Sequence, residues 1–247
     1  MTGSLPPEVP RWRGEELRAV LFDLDGTLMD TADDIRVILN RALAEQHLGA
    51  LAPNQVRELI GRGIPTLIAR AVARLGGITD AAGQALLLER FYFHHDRLYR
   101  LDEHSARPYP HVGEVLERLH GLGLKLAVVT NKRRDFAVDL LARSGLSAWI
   151  HVVVGADSCA RGKPDPQPLH FACNAVHVDP TRALMVGDSL TDVLAARAAG
   201  MPVVCVPYGY NEGRDPHTLP CDALIDTLAD LPGLMLSATT RATIRLG

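Results

Sequence analysis

Read for its apolar and polar positions, the chain falls into stretches of different period. Ala19 to Phe22 is a short apolar run, the mark of a strand buried in a parallel sheet, and it breaks abruptly at Asp23-Leu24-Asp25-Gly26-Thr27-Leu28. From Thr31 to Arg107 the period is that of a helix. Ile35, Ile38, Leu39, Ala42 and Leu43 define one amphipathic face, with Thr31 as N-cap and Asp33 and Asp34 where the helix dipole favours negative charge. A second short helix is predicted from Asn54 to Ile60. A third carries Ile64, Leu67, Ile68, Ala71, Val72 and Leu75, and a long fourth runs from Asp80 to Leu101 with Thr79 as its cap. No period-two alternation interrupts this segment, which is therefore expected to be an all-helical insertion.

From Pro108 onward helix and strand alternate. Val112, Val115, Leu116 and Leu119 form a helical stripe, followed by a buried strand from Lys125 to Val129 that stops at Thr130-Asn131-Lys132. Further strands are predicted at His151 to Val154, Ala183 to Val186 and Val203 to Val206, with helices between them. This order predicts an α/β fold: a Rossmann-like parallel sheet core flanked by helices, with an all-helical cap domain inserted after the first strand. The expected organisation is a loose proline-containing leader over 1–18, a core made of 19–30 and 108–235, a helical cap over 31–107 and a tail over 236–247.

Composition narrows the class. Of 247 residues, 47% are hydrophobic and 22% charged, as in an ordinary globular protein, and the formal net charge of −3 argues against nucleic acid as a partner. No apolar run reaches membrane-spanning length, and no signal peptide is visible at the N-terminus. Cys159, Cys173, Cys205 and Cys221 are widely spaced without a Cys-x-x-Cys pair, so reduced thiols in the cytoplasm are expected. Neither a monomer nor a homodimer is favoured.

The candidate chemistry lies where strands end. Residues two apart on extended backbone point to the same side, which sets the Cα atoms of Asp23 and Asp25 roughly 6.6 Å apart. Ligands of open α/β sheets bind at the carboxyl ends of strands, so Asp23, Asp25, Thr130, Lys163 and Asp188 are expected to converge. The carboxylates of Asp23 and Asp188, with the backbone oxygen of Asp25, are hard ligands suited to Mg²⁺. Thr130 can donate to a phosphoryl oxygen, Lys163 supplies a positive charge, and Thr27 adds a hydroxyl.

Four segments, Asp-Leu-Asp-Gly-Thr, Val-Val-Thr-Asn-Lys, Gly-Lys-Pro-Asp-Pro and Gly-Asp-Ser-Leu-Thr-Asp, resemble in this order the four motifs of the haloacid dehalogenase-like hydrolases. Arg107-Pro108-Tyr109-Pro110 and the run Pro207 to Gly213 are similar to bacterial phosphoglycolate phosphatases within that family. The resemblance implies an aspartyl-phosphate mechanism acting on a small anionic phosphate ester. Asp23 would be the nucleophile and Asp25 the general acid and base. Mg²⁺ would be held by Asp23, Asp25 and Asp188, and Asp192 would hold the metal's surroundings or steady Lys163. Thr130 and Lys163 would complete the catalytic set, with Thr27 and Asn131 binding substrate and Arg62, in the loop Gly61-Arg62-Gly63, meeting the substrate carboxylate.

Plainer readings stand beside these. Asp188 alone could cap the following helix, and Arg62 could be a free surface charge. Lys132-Arg133-Arg134 reads as a solvated helix start, and His94, His95 and His104 as a polar helix face without metal-site spacing. Three other functions remain open: a phospho-acceptor signalling module, a dehalogenase, and a phosphatase or mutase of sugar phosphates. Asp25, which protonates an alkoxide, speaks against the dehalogenase, and the helical insertion speaks against the signalling module.

Overall fold

A computed structural model describes residues 9–77 and 80–236. A hairpin of β1 (Arg11–Trp12) and β2 (Glu15–Glu16) opens the described chain, ahead of β3 (Ala19–Phe22) and β4 (Met29–Asp30). The helical insertion comprises α1 (Ala32–Glu45), α2 (Pro53–Arg57), α3 (Ile64–Arg74) and α4 (Ala81–Arg100). After β5 (Arg107–Pro108) follow α5 (Val112–Gly121), β6 (Lys125–Val129), α6 (Arg134–Arg143), β7 (Val152–Val154) and α7 (Gln167–Ala175). The chain continues through β8 (Ala183–Gly187), α8 (Leu190–Ala198), β9 (Val203–Cys205), β10 (Ala223–Leu224) and α9 (Leu231–Leu236).

The main sheet has the order β10-β9-β8-β3-β6-β7, with every pairing parallel. Its apolar strands divide their side chains between two layers. Val20, Phe22, Leu126, Val128, Leu184 and Val186 face α5 and α6, while Ala19, Leu21, Ala127, Val129, Ala183 and Met185 face α7 and α8. The first layer runs on without a break through Leu24, Leu28 and Met29 into Ile35, Leu39, Leu67 and Phe91 of the insertion. One hydrophobic cluster thus seats the helices over the sheet. The antiparallel pair Met29↔Pro108 and Asp30↔Arg107 closes the insertion where the chain leaves and re-enters the core. Among the described residues no helix is long and apolar enough to cross a membrane.

Several expectations need correction. Residues 9–18 are not a loose leader: β1 and β2 pair, and Trp12 and Leu17 are buried. Thr31 precedes α1 but its side chain makes no capping bond; its hydroxyl donates to Asp25 instead. Asp34 does more than complement a dipole. Its buried carboxylate accepts from Tyr99 Oη (2.9 Å), from the Ser105 amide and Oγ (both 2.7 Å) and from the Ala106 amide (3.2 Å), pinning the end of the insertion to α1. Asp34→Ala strands these donors, so we expect a loss on the order of 3 kcal/mol in urea unfolding, more than Asp34→Asn produces.

His94 and His95 are buried and not part of a polar face. The His95 ring is stacked between Tyr99 (4.5 Å) and Phe136 of α6 (3.7 Å). Burial, then the nearby Lys132 charge, pushes its pKa down to about 3, so the ring is a neutral packing element. β10, α9 and the β4–β5 pair are too short to show a period. The proposed Thr79 cap, the first eight residues and the tail from Ser237 onward lie outside the described residues.

Candidate active site

The ends of β8, β3 and β6, adjacent in the sheet, deliver the chemistry. The amide of Asp23 continues the sheet by donating to Val186 O (2.9 Å), and that of Thr130 to Val154 O (2.9 Å). The loop after β3 then turns sharply, burying Leu24 and Leu28 while Asp23 and Asp25 stay at the rim. Gly26 makes the turn possible. Its φ is +93°, and a Cβ there would collide with the Asp188 carboxylate.

Asp23 Oδ1 accepts from the Leu24 amide (2.7 Å) and pairs with Lys163 Nζ (2.9 Å). Lys163 Nζ also donates to Asp192 Oδ1 (2.7 Å), with the lysine side chain only 2% exposed. Asp192 Oδ2 accepts from Ser189 Oγ (2.8 Å) and the Ser189 amide (3.1 Å), so this carboxylate caps α8 and anchors the lysine together. Asp188 Oδ1 accepts from Thr27 Oγ1 (3.1 Å) and Oδ2 from the Tyr210 amide (2.7 Å). The Asp188 reading as a mere helix cap does not hold; Asp192 serves that role.

Asp25 is held apart from this group. Its Oδ1 accepts from Thr31 Oγ1 (2.6 Å), and Lys132 Nζ reaches both of its oxygens (3.0 and 3.2 Å). Lys132 is 8% exposed, so the solvated helix start predicted for it is corrected: the lysine is folded inward onto the carboxylate. Residues 130 and 132 share a side of the chain as it leaves β6, the signal that could have found it. Thr130 Oγ1 accepts from the Lys132 amide (3.1 Å).

One carboxylate oxygen each from Asp23, Asp188 and Asp192 lie within 4.8 Å of one another. Burial, followed by the Asp192 and Asp23 charges, drives the Asp188 pKa well up. Burial raises that of Asp23 to about 7 against the pull of Lys163. Burial disfavours the Lys163 charge too, but Asp192 and Asp23 more than offset it and its pKa is raised. Four carboxylates, those of Asp23, Asp25, Asp188 and Asp192, therefore face the two ammonium groups of Lys132 and Lys163. With their protons lost these carboxylates carry an excess of two negative charges over the ammonium groups, and that excess and the all-oxygen donor set fit a hard divalent cation. Asp192 is saturated by its own hydrogen bonds, which leaves Asp23 and Asp188 as the carboxylates with coordination to spare.

Above the carboxylates lies a cavity of about 40 Å³. Asp23, Asp25, Thr130, Asn131 and Lys132 form its floor, and Ile35, Ile60, Ile64 and Leu67 its apolar roof. An outer cleft of about 630 Å³ adjoins it, with Arg62, Tyr92, Arg133 and Lys163 among its walls. The remaining expected substrate residues have partners within the chain. Thr27 is fully buried with its hydroxyl on Asp188. Asn131 Nδ2 donates to Lys163 O (2.9 Å) and to Gly61 O of the insertion (3.2 Å). Arg62 is not brought into the inner cavity; its Nε bonds Glu212 Oε1 (2.6 Å). That pairing spans 150 positions of sequence, out of reach of any local pattern.

The model of the haloacid dehalogenase-like hydrolase family matches residues 20–206 of the chain. The chain is 46% identical to the plasmid phosphoglycolate phosphatase of Cupriavidus necator over 89% of its length and 94% of that protein. It is 42% identical to the phosphoglycolate phosphatase of Nitrosospira multiformis over 89% and 96%. A crystal structure described as a predicted phosphoglycolate phosphatase from Haemophilus somnus superimposes with a TM-score of 0.81 at 30% identity, covering 88% of this chain and 97% of that one. A carboxylate pair at the end of the central strand, a lysine buried against it and an acidic cluster on the neighbouring strand are thus set in a matching fold and sequence, and the chain belongs to the haloacid dehalogenase-like hydrolases, as an enzyme of their phosphoglycolate phosphatase-like branch.

Proposed function

We propose that this enzyme is a Mg²⁺-dependent phosphatase of the cytoplasm that hydrolyses a small phosphomonoester, 2-phosphoglycolate, to glycolate and phosphate through an aspartyl-phosphate. The observation that carries the reading is the buried Asp23–Lys163 pair opening onto a small cavity beside Asp25. The four cysteines are free thiols, in keeping with a reducing compartment. The descriptions of the relatives support phosphoglycolate as substrate.

Asp23 and Asp188, with the backbone oxygen of Asp25, would hold the ion, which when bound offsets the charge that nucleophile and phosphate present to each other. Lys163 favours the ionised form of Asp23 against the effect of burial and holds the carboxylate in place. An oxygen of Asp23 attacks phosphorus as the ester P–O bond breaks, and Asp25 delivers a proton to the departing alkoxide. Asp25 then takes a proton from the water that attacks phosphorus, releasing phosphate and restoring the Asp23 carboxylate. Thr130 donates to a phosphoryl oxygen. The apolar roof excludes bulk water, which strengthens each of these electrostatic contacts.

Steady-state phosphate release across a panel of small phosphate esters tests the reading. Turnover is expected to be fastest with 2-phosphoglycolate, to stop with a chelator and to return on adding Mg²⁺. Undiminished turnover in chelator, or no release from any ester, would refute it. The size of the outer cleft favours a second reading in which longer sugar phosphates are used, and the same panel separates the two.

A further inference from the structure

The loop after β9 touches both halves of the site. Tyr208 Oη donates to Thr27 O (3.0 Å), and the amide of Tyr210 donates to Asp188 Oδ2 (2.7 Å). The Tyr210 hydroxyl accepts from the Thr31 amide (2.8 Å) and donates to Asp30 Oδ1 (3.0 Å), where the insertion leaves the core. Two residues further on, Glu212 presents both carboxylate oxygens to the insertion. Oε1 accepts from Arg62 Nε (2.6 Å) and Oε2 lies 3.4 Å from a terminal nitrogen of Arg70 on α3. The Glu212 side chain is only 11% exposed, and Arg62 and Arg70, 46% and 33% exposed, reach it from the solvent side. Asn211, Glu212 and Gly213 have successive φ values of +36°, +52° and +75°. Two non-glycine residues in the left-handed region are held there against their preference, which calls for compensating contacts of this kind.

We propose that Glu212 is a positioning residue that ties the seating of the helical insertion to the geometry of Asp188. Its carboxylate grips Arg62 and Arg70 two residues from the amide that fixes Asp188 Oδ2. A shift of α3 is thereby felt at the metal-binding carboxylate, and binding at Asp188 in turn favours the same seating of α3. This rests on the reading of Asp188 as a metal ligand of a phosphatase. It assigns Arg62 a structural partner in place of the substrate carboxylate.

Calorimetric titration of the intact protein with Mg²⁺, run beside steady-state kinetics, tests the proposal. Glu212→Gln keeps the size of the side chain and removes its charge. It is expected to weaken Mg²⁺ binding and to lower kcat roughly tenfold each. The kcat loss should be equal for 2-phosphoglycolate and for an uncharged aryl phosphate. The double variant Arg62→Met with Arg70→Met attacks the same contact from the other side. It should reproduce the effect, and the triple variant should add little to either. Unchanged Mg²⁺ affinity in both variants would overturn the proposal. So would a rise in KM confined to the carboxylate-bearing ester, because Arg62 would then serve recognition. The calorimetry does not depend on turnover. Weakened binding in a protein whose wild type releases no phosphate would uphold the coupling and sink the phosphatase reading; wild-type behaviour of the variants in an active enzyme would do the reverse.

Discussion

Asp23→Asn is expected to lower phosphate release by at least about 10⁴-fold while leaving the fold in place, because an amide oxygen cannot open the covalent route. The substituted side chain keeps the acceptor that meets the Leu24 amide. The stability effect has a definite sign. Burial raises the Asp23 pKa from 3.8 to about 7, so the folded state holds the proton more tightly than the unfolded chain. Ionisation of Asp23 therefore costs stability progressively as pH rises from about 4 to 7, a cost already net of the attraction to Lys163, and asparagine removes it. Urea unfolding at neutral pH without Mg²⁺ should accordingly find the variant at least as stable as wild type. A midpoint far below that would mean the inactivity reports a damaged fold.

Lys163→Met should be the most damaging single change to stability within the site. The ammonium group sits 2.9 Å from Asp23 Oδ1 and 2.7 Å from Asp192 Oδ1. Its removal leaves the buried Asp192 carboxylate and the half-buried Asp23 carboxylate near each other without a counter-charge, a defect costing on the order of 3 kcal/mol. Turnover should fall a further way, roughly 10²- to 10³-fold, since the attacking carboxylate loses its orientation and the phosphoryl oxygens lose a cation. A second substitution separates the two effects. Lys163→Met with Asp192→Asn should recover much of the unfolding free energy and none of the turnover. Recovery of turnover would mean that Lys163 only neutralises Asp192.

The features that were legible in the sequence share a cause. Ala19 to Phe22, Lys125 to Val129 and Ala183 to Val186 are continuous apolar runs because both faces of a parallel sheet are covered, and strands that abut must end at a common edge. That edge brings Asp23, Thr130 and Asp188 together, and Asp192 follows one helical turn later. The helical insertion was equally visible, since burying one face of α1 and α3 imposes a 3.6-residue period.

What escaped depends on partners chosen by tertiary structure. Lys132 in a run of three basic residues looks like a solvated helix start until Asp25, more than 100 positions earlier, is folded against it. Thr31 has the residue type and position of an N-cap, yet its backbone (φ −117°, ψ 2°) lies outside the extended region a capping residue adopts, and its hydroxyl donates to the Asp25 carboxylate. The His95 ring is stacked on Tyr99, its i,i+4 neighbour in α4, and covered by Phe136 of α6, and it is this second contact that no spacing within α4 encodes. The β1–β2 hairpin escaped for want of length, because two-residue strands with Trp12 as their one buried side chain carry no measurable period.

Acid quenching during turnover, followed by mapping of covalently bound phosphate by mass spectrometry, interrogates the chemistry most directly. The account predicts phosphate on the peptide carrying Asp23, present with substrate and Mg²⁺ and lost in Asp23→Asn. Steady hydrolysis with phosphate on no residue, or on a different one, would contradict it.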